Sequence, residues 1–252
     1  YYTGKLTVAA NVGVTDGDSS RVMSSFSSWG VPGSLQLKPE ITAPGGNIYS
    51  VNGAHKGDGA HENHDAYENM SGTSMASPQM AGMVAVLAQY LRENGLMNKT
   101  GLSVRQLAQS LLMSTAEPVV DAQSGSYYPV LQQGAGLANV NAAIQANSYI
   151  TMAADATSGA ADGKVKVELG DDPSKTGVYT ATFTIHNLTG EAQSYELSAD
   201  VFTQDVFPYG GVDYLDTWTV PLDATVVWET GAEQGDAALI HDVNMDGKLD
   251  AA

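Results

Sequence analysis

The spacing of apolar positions changes along this chain. "KLTVAANVGV" at 5–14 is nearly all apolar and predicts a buried strand. "GNIYSV" at 46–51 predicts another; it follows "KPEITAPG", where Pro39 and Pro44 keep the approaching backbone extended. The stretch 52–68, "NGAHKGDGAHENHDAYE", is polar and glycine-rich and reads as a loop. From Thr73 to Glu93 a mostly apolar run predicts a long helix, buried by its composition and stopping before Gly95. Val104, Leu107, Leu111 and Leu112 recur at helical spacing and predict a second helix after Ser103. "QQGAGLANVNAAIQA" predicts a glycine turn and a short helix from about Asn139. Strands alternating with helices predict an α/β layer structure over residues 1–150.

Beyond residue 150 the period becomes two. "KVKVELG", "GVYTATFTIHNLTG", "AQSYELSADVFTQ" and "TWTVPLDATVVWE" alternate apolar and polar residues and are bounded by turn formers. They predict an all-β sandwich over 164–252, joined to the first domain by a small, polar linker at 151–163. Charge marks the same boundary. Residues 1–150 carry 10 acidic and 7 basic side chains, whereas residues 151–252 carry 18 acidic and 4 basic. The whole-chain charge of −17 argues against nucleic acid as a partner. No apolar run is long enough to predict membrane insertion. With no cysteine, disulfides, thiolate metal sites and cysteine nucleophiles are excluded.

The chemistry concentrates at "NMSGTSMASPQMAG", 69–82, where the long helix begins. A hydroxyl at a helix mouth is either a cap or a nucleophile. For the second role, Gly72 leaves room for a substrate carbonyl beside Ser74. The first amides of the helix lack intrahelical partners, and with the helix dipole they can stabilise an oxyanion. Pro78 reads as a first-turn residue whose missing amide costs nothing. Ala76 stands where the elbow of α/β-hydrolases has glycine, so that motif is excluded. Capping by Thr73 or Ser74 stays open on spacing alone.

"GTSMASPQMAG" closely resembles the catalytic-serine motif of the subtilisin-like serine proteases. "MSSFSSWG" at 23–30, "LKPEITAPGGNIYS" at 37–50 and "QGAGLANVNAAI" at 133–144 resemble further segments in that family's order. The spelling is nearest the lactocepin-like cell-envelope group of Gram-positive bacteria. The resemblance implies a partial subtilisin-like parallel-sheet domain over 1–150, followed by a fibronectin type III-like sandwich. It implies Ser74 as nucleophile, with Gly72 and Thr73 against the substrate, and protein or peptide substrates. It also implies a secreted or cell-wall location on a bacterial cell envelope. In the family the order is aspartate, histidine, serine, and the first two motifs, with the asparagine of the oxyanion hole, precede the segments matched here. None of His55, His61, His64, His186 and His241 has the context of the catalytic histidine. The chain is therefore expected to be an excerpt, the C-terminal half of a catalytic domain with the start of its follower, and inactive alone. Its loop at 52–68 would line the leaving-group side of the cleft.

At the end of the chain, "DVNMDGKLDAA" places Asp242, Asn244 and Asp246 at the first, third and fifth positions of an EF-hand-type loop, with Gly247 sixth. Lys248 would offer its carbonyl and Asp250 falls at the ninth position. A structural calcium ion is the cofactor this predicts; no organic cofactor is expected. Against the endopeptidase stand two other readings: a non-catalytic surface or adhesion module, and a calcium-linked docking module, each on a subtilase scaffold.

Overall fold

Local sequence sets where the helices begin. The computed structural model describes residues 21–30, 36–51, 67–122, 124–152, 164–170 and 172–228, with the backbone of 240–241 and 250–251. In chain order its elements are β1 (Ile48–Val51), β2 (Tyr67–Met70), α1 (Thr73–Glu93), α2 (Leu96–Thr100), α3 (Val104–Ser114), α4 (Val130–Gln133), α5 (Val140–Gln145), β3 (Ser148–Met152), β4 (Phe183–Asn187), β5 (Phe202–Tyr209), β6 (Val212–Pro221), β7 (Ile240–His241) and β8 (Asp250–Ala251). Ser103 starts α3 with a capping box: its Oγ accepts from the Gln106 amide at 3.3 Å, and its own amide donates to Gln106 Oε1 at 3.1 Å. Asn139 caps α5 by accepting from the Ala142 amide at 3.0 Å.

The core lies where α1, α3, α5 and β3 meet. It holds Leu87 and Leu91 of α1, then Leu107, Ala108, Leu111 and Leu112 of α3, with Ala143 and Tyr149. The pairs Leu87/Leu91 and Leu107/Leu111 are one helical turn apart, so each helix buries a single stripe. Each such leucine stabilises the fold by roughly 1.5–3 kcal/mol. Helix α3 also stands in for a neighbouring strand. Ser110 Oγ donates to the Ile150 carbonyl, and Ser114 Oγ accepts from the Ile150 amide at 3.1 Å. One residue of β3 thus has both backbone groups satisfied by hydroxyls four residues apart.

Helix α1 spans the expected residues but is buried only in its second half. Leu87, Ala88 and Leu91 are its buried residues, while Val84 and Val86 are 37 % and 54 % exposed. Tyr49, Val51, Tyr67 and Met70 on β1 and β2 are also exposed. Among the described residues these apolar side chains are only partly covered, Tyr49 and Tyr67 by stacking on each other at 5.5 Å.

The sheets depart further from expectation. Each is two-stranded and antiparallel: β1–β2, β3–β4, β5–β6 and β7–β8. The expected parallel sheet is represented among the described residues by one isolated bridge, Thr42 to Leu137. The first two positions of the expected linker, 151 and 152, complete β3 and pair with β4. Of the period-two segments, 164–170 and 192–201 form no strand, and the described residues form no two-layer sandwich. Alternation marks a chain that can line a sheet, but a ladder needs a partner at the right register. The strand expected at 5–14, most of the 52–68 loop, the rest of the linker, and the side chains of the terminal acidic loop lie outside the described residues.

The base of the β5–β6 hairpin is tied to the loop before α4. Tyr127 stacks on Phe202 with centroids 5.3 Å apart, and its hydroxyl donates to Asp200 at 2.8 Å. That bond to a carboxylate, together with burial, raises the Tyr127 pKa. Thr219 Oγ1 donates to the Tyr127 carbonyl at 2.8 Å. Beneath them Gln133 is buried; its amide group accepts from Val119 N–H at 2.6 Å and donates to the Tyr128 carbonyl at 2.6 Å.

Candidate active site

The four sequence segments singled out above converge. Gly72 N–H donates to the Gly45 carbonyl at 2.8 Å, joining "APGG" to the start of α1. A Cβ on Gly45 would lie 2.7 Å from the Gly72 carbonyl oxygen and 3.2 Å from Ala76 Cβ, so this approach requires glycine. Asn47 N–H donates to Ser71 Oγ at 2.8 Å. On the other side, Thr42 N–H donates to the Gly136 carbonyl at 2.8 Å and Ala138 N–H to the Thr42 carbonyl at 2.9 Å. A Cβ on Gly134 would lie 2.5 Å from the Pro39 and Glu40 carbonyl oxygens. Gly30 N–H donates to the Leu131 carbonyl at 2.9 Å, and Ser24 Oγ lies beside Gly46. The loop 37–47 is the hub between the serine helix, the 133–138 turn and the 23–30 segment.

Ser74 is the second residue of α1 and is exposed, as is Thr73. The cap position belongs to Gly72, and no side chain caps the helix. Neither hydroxyl therefore serves the capping role that spacing alone left open. The Gly72 carbonyl accepts from Met75 N–H at 3.0 Å and from Ala76 N–H at 3.4 Å. Among the described residues the amides of Thr73 and Ser74 have no backbone acceptor. The Gly72 amide is not a free donor, since it is already bonded to the Gly45 carbonyl.

Pro78 corrects the sequence reading. It lies inside α1 at the sixth helical position, in the second turn. Its missing amide is the one that would have bonded the Ser74 carbonyl, four residues back. The residue that carries the exposed hydroxyl thus also has a carbonyl released from the helical ladder.

No base accompanies the serine among the described residues. His186 is the one histidine whose side chain is described, and it packs elsewhere. Its ring stacks on Tyr149 at 4.6 Å between centroids, 10° from coplanar, with Nε2 2.7 Å from Thr151 Oγ1. Tyr149 belongs to the core cluster that begins at Leu87, roughly 20 Å along α1 from Ser74 at 1.5 Å per residue. Burial lowers the His186 pKa, which suits a neutral packing residue. No group of three or more metal-ligating side chains occurs among the described residues. Asp242, Asn244, Asp246 and Lys248 are not among them, and of Asp250 only the backbone is described, paired with His241. Sequence reasoning also missed Gly45, whose only signal was its place in "APGG", three residues before β1.

Comparison with known proteins follows the same residues. The family model described as the subtilase family matches residues 1–161. The PII-type proteinase of Lactococcus lactis subsp. cremoris is 36 % identical over 207 residues, covering 76 % of this chain and 10 % of that protein. A PII-type proteinase of Lacticaseibacillus paracasei matches equally. The C5a peptidase of Streptococcus pyogenes is 31 % identical over 188 residues, covering 75 % of this chain and 14 % of that protein. The chain thus spans about a tenth of the length of the proteinases it matches.

Proposed function

This chain belongs to the subtilase family, and we propose from that premise that it carries the nucleophile of a longer serine endopeptidase. The observation behind the reading is Ser74 itself, exposed at the second position of α1 and not engaged in capping. Its Oγ attacks the substrate carbonyl while a histidine outside the described residues takes its proton. The unpartnered amides at the start of α1 face the developing oxyanion, aided by the helix dipole. Gly72 leaves room for the substrate backbone, and Thr73 flanks it.

Proteins or peptides are the substrates, in keeping with relatives named proteinase and peptidase. A bacterial cell-envelope or secreted location follows from the same resemblance. Among the described residues no helix is long and apolar enough to cross a membrane. For the part after 163 we keep the fibronectin type III-like sandwich as a proposal. Its support is the period-two pattern and a hairpin whose Phe207, Tyr209 and Tyr214 are exposed on one face, as a sheet awaiting a second layer would be. Asp242, Asn244, Asp246, the Lys248 carbonyl and Asp250 are proposed to hold a structural calcium ion, which calorimetric titration of the whole protein would test.

The function is tested by casein hydrolysis with the whole protein and its Ser74→Ala variant. The expected loss is about 10⁶-fold, the size found when a subtilisin-type triad loses its serine. Unchanged hydrolysis would overturn the reading. Absence of hydrolysis in the unmutated protein would favour the adhesion or docking module.

A further inference from the structure

Loop 37–47 is gripped at its far end by side chains that follow the linker. Leu37 N–H donates to Glu168 Oε1 at 3.0 Å, and Lys166 Nζ donates to the Leu37 carbonyl at 2.6 Å. The two side chains pair with each other at 3.1 Å. Both are largely buried: the Lys166 side chain is 13 % exposed and that of Glu168 is 4 %. Both backbone groups of one residue are thus satisfied as a strand neighbour would satisfy them, but by an ion pair. Three residues on, Glu40 meets the same cluster, with Lys164 at 3.5 Å, Lys166 at 3.8 Å and a direct bond from Lys38. From Glu40 the loop runs through Thr42, held by the 133–138 turn, to Gly45, whose carbonyl holds the Gly72 amide. Ser74 is two residues beyond.

We propose that Lys166 and Glu168 are positioning residues for Ser74, so that the segment after the linker is a working part of the active site rather than the start of an independent module. This rests on the assignment of Ser74 as nucleophile. The physical argument is one of registry. A partly buried ion pair is poorly suited to adding net stability, but removing Lys166 takes the donor from the Leu37 carbonyl and a cation from beside Glu40, and drives local rearrangement. Here that rearrangement falls on Leu37 and Glu40, the end of a loop whose other end sets the entry of α1. Misplacing a nucleophile by about 1 Å costs up to about 100-fold in rate.

The test uses the whole protein with Lys166→Met, Glu168→Gln and Lys166→Arg. Three readouts are taken well below each variant's unfolding temperature: the rate of fluorophosphonate reaction at Ser74, kcat and KM on casein, and hydrogen exchange in peptides covering 37–47 and 69–76. Lys166→Met is expected to slow the reaction about 10- to 100-fold and to speed exchange in both peptides, with kcat falling more than KM changes. Glu168→Gln, which keeps an acceptor for Leu37, gives a smaller effect in the same direction and serves if Lys166→Met fails to fold. Lys166→Arg, which keeps the cation and a donor for the Leu37 carbonyl, restores part of each readout. Exchange in 69–76 and reaction rate both unchanged in Lys166→Met, or Lys166→Arg no better than Met, would overturn the proposal. A wild-type protein that reacts at another residue would instead overturn the assignment of Ser74, and this role with it. The site of the wild-type adduct tells the two failures apart.

Discussion

Gly45 bears no reactive group, yet a methyl there would sit 2.7 Å from the Gly72 carbonyl. The start of α1 would have to shift, and Ser74 with it. For Gly45→Ala in the whole protein we expect kcat on casein to fall about 10- to 100-fold, with a loss of thermal stability too small to unfold the protein at assay temperature. A kcat within twofold of wild type would show that the Gly45–Gly72 contact does not set the nucleophile. At this scale the sequence yielded Ser74 because its motif is local and dense in glycine. It did not yield Gly45, Lys166 or Glu168, whose roles come from contacts across 27 to 131 positions. Pro78 was misread for a different reason: with the helix starting at Thr73, as expected, Pro78 is its sixth residue and lies beyond the first turn.

Among the elements, α1, α3 and α5 were legible because caps and apolar stripes are local signals. Ser103 and Asn139 stand where the helices begin. The strands after 150 were legible only as alternation, and pairing decided which of them formed. The β3–β4 ladder is an instance, because it joins residues on the two sides of the expected linker. It also holds a titratable group. His186 is pushed below its usual pKa by burial, so the folded ladder prefers the neutral ring on Tyr149. The unfolded chain takes up its proton near about pH 6.5. Stability from this site is therefore whole above that pH and declines as pH falls through it toward the lowered folded value. Calorimetric unfolding between about pH 7.5 and 5 should show this decline. His186→Phe, which keeps a ring for Tyr149 and removes the titration, should flatten it. An identical slope in the variant would remove His186 from the pH response.

For the molecule as a whole, the described residues leave Tyr49, Val51, Tyr67 and Met70 exposed on the two strands before Ser74, and Val84 and Val86 exposed further along α1. Apolar surface of that kind calls for cover. It fits a chain that spans 10 % of the length of a related proteinase. The α/β class was legible from alternation of elements, whereas the expected parallel sheet and sandwich are not found among the described residues, whose sheets are all two-stranded and antiparallel. The central claim is that Ser74 is a nucleophile whose base comes from elsewhere in the protein. It is tested most directly by treating the whole protein and residues 1–252 alone with a fluorophosphonate and mapping the adduct by mass spectrometry. We expect one adduct, on Ser74, in the whole protein, and reaction slower by at least about 10³-fold in residues 1–252, as for a serine without its base. An adduct on another residue of the active whole protein, or equal reaction in the two, would contradict it.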